Sequence, residues 1–255
     1  MGSIDEDPSK LENLIGDGEL ATIFLSDTHI GDAKSKHKEL LAYLRPRQKD
    51  IDKIVICGDF LDLWVAPLGK VLSEAKPILD FLYTSYQGHV HYILGNHDEE
   101  LESLHGAFPF IHKSLRFPVG NKWAVALHGH ILDDNPYLKT RFSRYMAWFI
   151  NKFDRWAHID TRKTLISLSE QIKNDPYDNV IEAFEQKVAD VFTGKFDYVI
   201  TGHTHLYPYM KKLGSVTLIN IGDNLQHSTL LIGKMDGFYL FDYYTEKTID
   251  VERVY

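Results

Sequence analysis

The stretch that most constrains this chain is Ile54-Val55-Ile56-Cys57-Gly58-Asp59-Phe60-Leu61-Asp62, an apolar run that stops at a glycine and hands over to an aspartate. Four to eight apolar residues bounded by glycine read as a buried parallel strand. The loop after such a strand is where an open α/β sheet places its ligand site. Asp59 is therefore expected at a sheet rim. An aspartate can equally cap a helix or make a turn, so its company decides. Four other apolar runs end in the same way: Ile23-Phe24-Leu25-Ser26-Asp27-Thr28-His29, Tyr92-Ile93-Leu94-Gly95-Asn96-His97-Asp98, Val125-Ala126-Leu127-His128-Gly129-His130 and Tyr198-Val199-Ile200-Thr201-Gly202-His203-Thr204-His205. Five strand ends carrying Asp, Asn and His on one sheet rim predict a metal site.

The rest of the composition narrows the setting. A chain of 255 residues that is 44% hydrophobic can bury one large core, or one core with a small cap. A net charge of -8 argues against a general polyanion binder, so no nucleic-acid partner is expected. The single cysteine, Cys57, lies inside an apolar run and reads as a small buried hydrophobe. With no internal disulfide, no basic-apolar leader, Glu rather than Ser or Thr at position 6 and no apolar run long enough to span a bilayer, a cytoplasmic protein is expected. Six of the 13 histidines fall in the five strand-end motifs; the other seven, His227 among them, are assigned to surface or core.

In chain order, residues 1–18 read as a loose polar arm and 19–255 as one domain. Strands are predicted at Leu20–Ser26, over the Ile54 run, and at His89–Leu94, Lys122–Leu127 and Phe196–Thr201. Helices are predicted at Lys36–Leu44, Glu74–Tyr86 and Asn179–Phe192, each with an apolar face. After Asp27, a residue two positions on points to the same side of an extended chain, so His29 can reach the same ion. Asp62 is placed to accept hydrogen bonds from the loops or from a ligand histidine, and Trp64 reads as packing. In Gly95-Asn96-His97-Asp98, Asn96 offers an oxygen ligand, His97 a proton donor and Asp98 a partner to orient its imidazole. His128 is preferred as a ligand, while His130 either contacts substrate or fills the rim. The tail, with strands at Val216–Ile221, Leu230–Gly233 and Phe238–Tyr244, suggests a second sheet packed on the first.

Residues of about 135–193 interrupt the strand rhythm. Phe142, Tyr145, Phe149, Phe153 and Trp156 recur at helical spacing, and between Lys139 and Lys163 seven Lys or Arg face only Asp154 and Asp160. Either this face packs on the core, or it forms a helical cap that offers basic residues to phosphate and aromatics to an apolar or nucleobase group. In the second case Arg141, Arg144 and Trp148, with Asn96, are substrate contacts, and the cap is the segment suited to peripheral membrane contact.

The candidate ligands are Asp27, His29, Asp59, Asn96, His128, His203 and His205, mixed oxygen and nitrogen donors without thiolate. They suit Mn, Fe, Zn or Co, with Mn foremost. Seven exceed the need of one ion with open positions, and two divalent ions sharing a carboxylate resolve the surplus. Metals about 3.5–4 Å apart clamp the attacking and leaving oxygens of an in-line displacement, as phosphoester hydrolysis requires.

The order D-x-H, GD-x-x-D, GNHD, HG, GH-x-H, spread over residues 27–205, resembles the calcineurin-like metallophosphoesterases. That resemblance implies an α/β/β/α sandwich of two sheets. It also implies that Asp27, His29, Asp59 and His205 hold one ion and that Asp59, Asn96, His128 and His203 hold the other, with Asp59 bridging. Within the family, Gly58-Asp59-Phe60-Leu61-Asp62-Leu63-Trp64 and the basic, aromatic insertion resemble the UDP-2,3-diacylglucosamine diphosphatases of lipid A synthesis, which hold acyl chains with a helical insertion. The chain departs from them at His97, where they carry arginine, and at His130, where they carry an acid. The expected substrate is a nucleotide-lipid diphosphate, with nucleotides or other small phosphoesters as the alternative. A catalytically silent binding scaffold is the reading of a different class.

Overall fold

The computed structural model describes residues 20–104, 110–132 and 176–254. Its centre is a parallel trio: β1 (Ala21–Leu25), β2 (Ile51–Cys57) and β3 (Val90–Ile93), with β2 in the middle. Their C-terminal halves are apolar because both faces are covered, while Thr22, Asp52, Lys53 and His91 near their starts are only half buried. Ile23, Leu25, Ile54 and Ile56 pack into one cluster with α1 (His37–Leu44) and α2 (Leu68–Ser85). Phe24, Val55, Cys57 and Ile93 point the other way, into the seam between two sheets.

Short β4 (Ile111–His112) pairs with β3, while β10 (Thr229–Lys234), β11 (Gly237–Asp242) and β12 (Lys247–Arg253) extend the opposite edge antiparallel, giving the order β12-β11-β10-β1-β2-β3-β4. The second sheet runs β5-β6-β7-β9-β8, from β5 (Leu115–Val119), β6 (Lys122–Ala126), β7 (Tyr198–Thr201), β8 (Tyr209–Leu213) and β9 (Val216–Asn220). Its inner residues, Ala124, Ala126, Tyr198, Ile200 and Ile219, meet Phe24 and Val55 across the seam. Its outer face, with Val125, Leu127, Val199 and Leu218, is covered by Phe184 and Val188 of α3 (Pro176–Phe192). The layers are thus helix, sheet, sheet, helix, an α/β/β/α sandwich. No helix among the described residues is long and apolar enough to cross a membrane.

Three differences from the sequence reading have physical causes. The tail divides between the sheets: its first predicted strand, β9, lies in the second sheet, whereas β10 docks on the open edge of β1, with Ile23 opposite Ile232, and carries β11 and β12 with it. The five strand-end motifs do not share one rim, since β1, β2 and β3 belong to one sheet and β6 and β7 to the other. Helix α2 starts at Leu68, ahead of Glu74, because buried Val71 and Ala75 continue the apolar stripe of Ile78 and Leu82 by a further turn. Pro77 inside it is exposed, so the carbonyl it leaves without a donor faces water. The N-terminal arm and most of the insertion lie outside the described residues; of the insertion, α3 is a structural layer of the sandwich.

Ile54 is fully buried at the centre of β2. We expect Ile54→Ala to cost about 2–5 kcal/mol, lost transfer energy plus a cavity. It should appear as a lower urea midpoint with an unchanged m value.

Candidate metal centre

The loops that follow β1, β2, β3, β6 and β7 leave the same end of the sandwich and meet over the seam. Asp27, His29, Asp59, His203 and His205 are five of the seven described non-glycine residues with positive φ, at 49°, 48°, 50°, 71° and 52°. Each left-handed residue costs roughly 1–2 kcal/mol, and such strain collects where side chains must be aimed. Asp27 and His29 therefore converge through two left-handed kinks, and not through the alternation of an extended strand.

Close backbone approach demands glycine at three of these ends. A Cβ on Gly95 would lie 2.1 Å from Asp59 Oδ1, on Gly202 2.1 Å from Asp27 Oδ2, and on Gly58 2.5 Å from the His128 ring. The loops are stitched across the two sheets. The His203 backbone N–H donates to Asp27 Oδ2 (2.9 Å), and His128 Nδ1 donates to the Cys57 carbonyl (2.9 Å).

These contacts bring all seven candidate ligands together. His205 Nε2 lies 3.5 Å from Asp27 Oδ1, and His29 Nε2 lies 3.7 Å from both Asp27 Oδ1 and Asp59 Oδ2. On the other side of Asp59, His128 Nε2 is 3.1 Å from Asp59 Oδ2 and 3.2 Å from Asn96 Oδ1. The His203 ring stands edge-on to His128, with centroids 5.1 Å apart. His130 remains at the rim, 5.4 Å from the His128 ring.

The donor set fits a cation. Asp27 Oδ1 and His29 Nε2 are buried and make no hydrogen bond among the described residues, a costly state for polar atoms. The other atoms of both groups are satisfied: Asp27 Oδ2 accepts from Ser26 and His203, and His29 Nδ1 donates to Asp62 (3.1 Å). A ligand imidazole held through its far nitrogen, with the near one aimed into the cluster, is the arrangement metal sites use.

Asp62 takes both of its expected roles, accepting from His29 and from the loop backbone of Trp64 and Val65, and it holds a second histidine as well, His97, through Nδ1 (3.0 Å). His29, Asp62 and His97 lie close enough to suggest a third ligand group, but the hydrogen bonds occupy both Nδ1 atoms, so we read it as a positioning triad. The His97 ring stacks on Trp64, with centroids 3.9 Å apart, so Trp64 is packing that serves the site. The proposed pairing of His97 with Asp98 is not formed. Asp98 is turned into the core, where it accepts from Phe60 N, Tyr92 OH and Gly95 N; those donors outcompete an imidazole that Asp62 already holds.

Burial disfavours charge on every group here, and mutual attraction overcomes it. Asp27 is held down at about 2, because attraction to His128, to His205 and to the neighbouring His29 outweighs burial. Asp59 lies well below the carboxylate range against the same penalty, chiefly through His128 and His97. In turn, despite burial, the adjacent Asp27 carboxylate and the hydrogen bond to Asp62 raise His29 well above the usual imidazole value, and Asp59 and Asp27 lift His128 to about 9. Asp98 behaves differently: burial and the nearby Asp59 push it up to about 6.

One residue the sequence reading passed over is Asp223. It is fully buried, accepts the backbone N–H groups of Leu225, Gln226 and His227 through Oδ1, and sets Oδ2 3.5 Å from His205 Nδ1. His227, left as surface or core, packs against the same carboxylate at 3.4 Å. The signal was present, since Ile219-Asn220-Ile221-Gly222-Asp223 is a sixth apolar run closing on Gly-Asp. Arg141, Arg144 and Trp148 lie outside the described residues.

A two-sheet sandwich with carboxylates and imidazoles gathered over its seam defines a metal-binding α/β/β/α scaffold. A family model for calcineurin-like phosphoesterases matches residues 20–207, and the chain belongs to that family. Among solved structures it is similar to the phosphoesterase Yfce from E. coli, at 16% identity over 92% of this chain and 100% of that one, with a TM-score of 0.50. It is also similar to Vps29 from Entamoeba histolytica complexed with zinc (16% identity, 92% and 98% covered, TM-score 0.48). A third is Vacuolar Protein Sorting 29 from Cryptosporidium parvum (14% identity, 92% and 96% covered, TM-score 0.46). At these identities the likeness concerns the fold. No curated protein matches the chain by sequence.

Ligand imidazoles bind metal in the neutral form, whereas His128, at about 9, carries a proton at pH 7.5. Loading with Mn should therefore release protons and tighten as pH rises from 6.5 toward 9. Calorimetry in buffers of different ionisation enthalpy reads the number released. Asp62→Ala should lower Mn affinity about 10–100-fold, while Asp80→Ala, on the exposed face of α2, should leave it unchanged in the same titration.

Proposed function

We propose that this protein is a binuclear metal-dependent hydrolase of phosphoester or diphosphate bonds. The carrying observation is the central position of Asp59 between Asp27, His29 and His205 on one side and Asn96, His128 and His203 on the other. Divalent cations held by these residues supply Lewis acidity toward phosphoryl oxygens and lower the pKa of water. Asp59 fixes the geometry of both halves: its Oδ1 accepts the His97 backbone N–H (2.8 Å) and its Oδ2 faces the cluster.

His97 is the group for proton transfer. With Nδ1 bonded to Asp62 and its ring clamped by Trp64, its Nε2 looks into the cluster, 4.0 Å from Asp59 Oδ2. From there it would stabilise the transition state or protonate the leaving oxygen. A phosphate leaving group, with a second pKa of about 6, departs without that help, while an alkoxide benefits from it. The basic, aromatic insertion with Arg141, Arg144 and Trp148 supports a nucleotide-lipid diphosphate such as UDP-diacylglucosamine. The His97–Asp62 pair favours the second reading, an ester of a nucleotide or small alcohol.

The test is turnover by Mn-loaded protein on a UDP-linked lipid diphosphate, cyclic nucleotides, alkyl phosphomonoesters and p-nitrophenyl esters. Hydrolysis that chelation abolishes and added Mn restores is expected. His97→Ala should lower turnover of alkyl esters about 10²–10⁴-fold and that of p-nitrophenyl esters much less. Activity confined to monoesters removes the lipid reading. Tight loading without turnover on any substrate replaces the hydrolase by a binding scaffold.

A further inference from the structure

Away from the metal centre, the far end of the sandwich holds a cleft of about 490 Å³ between the two sheets. It lies where β1 and β2 begin, whereas the candidate ligands follow their ends, as the entry of Leu20 and Lys53 into its wall shows. Its floor is apolar and aromatic, built from Phe24, Phe117 and Phe238, the first and last of them buried. Its polar wall is basic: Lys53, Arg116 and Lys234 line it with His91, and among the described residues no acidic side chain does. Leu20 and Met235 at its mouth are exposed. An apolar slot with a cationic border calls for an occupant that is apolar along one side and acidic along the other.

We infer that this cleft is the docking site of the chain's own N-terminal segment, residues 1–19. Three observations select that occupant. The segment enters the fold at Leu20, itself part of the cleft wall. It carries Asp5, Glu6, Asp7, Glu12, Asp17 and Glu19 against Lys10 alone, a strong charge match to the border. Leu11, Leu14 and Ile15 recur at the spacing of one helical face, which suits the aromatic floor. Covalent attachment holds the segment at an effective concentration in the millimolar range, so modest contacts are enough. The inference is independent of the hydrolase reading.

Because Cys57 is buried and the chain has no other cysteine, the docked state can be trapped in the full-length protein. Leu14→Cys with Pro118→Cys, on the cleft wall, is compared with Leu14→Cys and Tyr244→Cys, an exposed position beyond the other end of β11. Under mild oxidation the cleft pair should close an intramolecular disulfide about tenfold or more faster. Raised salt should slow it, as should Lys53→Glu with Arg116→Glu in a variant whose circular dichroism is unchanged. Equal rates for the two pairs, or indifference to both salt and charge reversal, overturn the inference. So does a disulfide formed chiefly between two chains, which would assign the cleft to the segment of a second copy.

Discussion

The structure is organised around negative charge buried at a seam. Asp27, Asp59, Asp62 and Asp223 are all at or near zero exposure, and a carboxylate removed from water survives only beside compensating charge and donors. Imidazoles and backbone N–H groups provide that compensation here, and the pairing is divided in a way that indicates purpose. Asp62 and Asp223 are turned toward the Nδ1 side of histidines, where they hold rings in place, whereas Asp27 Oδ1 is left facing His29 Nε2 without a hydrogen bond. Positive charge delivered to that point satisfies atoms the fold has set aside for it.

Holding such a cluster imposes demands on the chain around it. The left-handed backbone at five ligand positions runs against local preference, and the glycines at 58, 95 and 202 admit carboxylates and an imidazole where a methyl group would clash. A strained constellation persists only when the surrounding structure over-determines it. The seven-stranded sheet, covered by α1 and α2, and the five-stranded sheet, covered by α3, supply that rigidity. Their loops are tied across the seam by His128 to the Cys57 carbonyl and by His203 to Asp27.

The same division of labour gives the chemistry its shape. His97 belongs to the loop that carries Asn96, yet its orientation comes from Asp62 and Trp64 on the loop after β2. A group oriented from a neighbouring loop keeps its position when its own loop adapts to substrate, which is the property a proton donor needs.

Much of this protein was legible in its sequence. Apolar runs ending in Gly, Asp, Asn and His identified β1, β2, β3, β6 and β7 and the seven clustered side chains, because burial on both faces and metal-ligand chemistry each restrict residue type strongly. Short or edge strands such as β4, β5, β8 and β12, half in solvent, carry no comparable restriction and were not read. Tertiary structure alone decided that the motifs divide between two sheets, that β10–β12 join the first, that Asp62 and not Asp98 holds His97, and that Asp223 backs His205. Those choices turn on distances between segments far apart in the chain and on competition among donors for one carboxylate. Residue type reports what a side chain can do, while the packing of the two sheets determines which partner it meets.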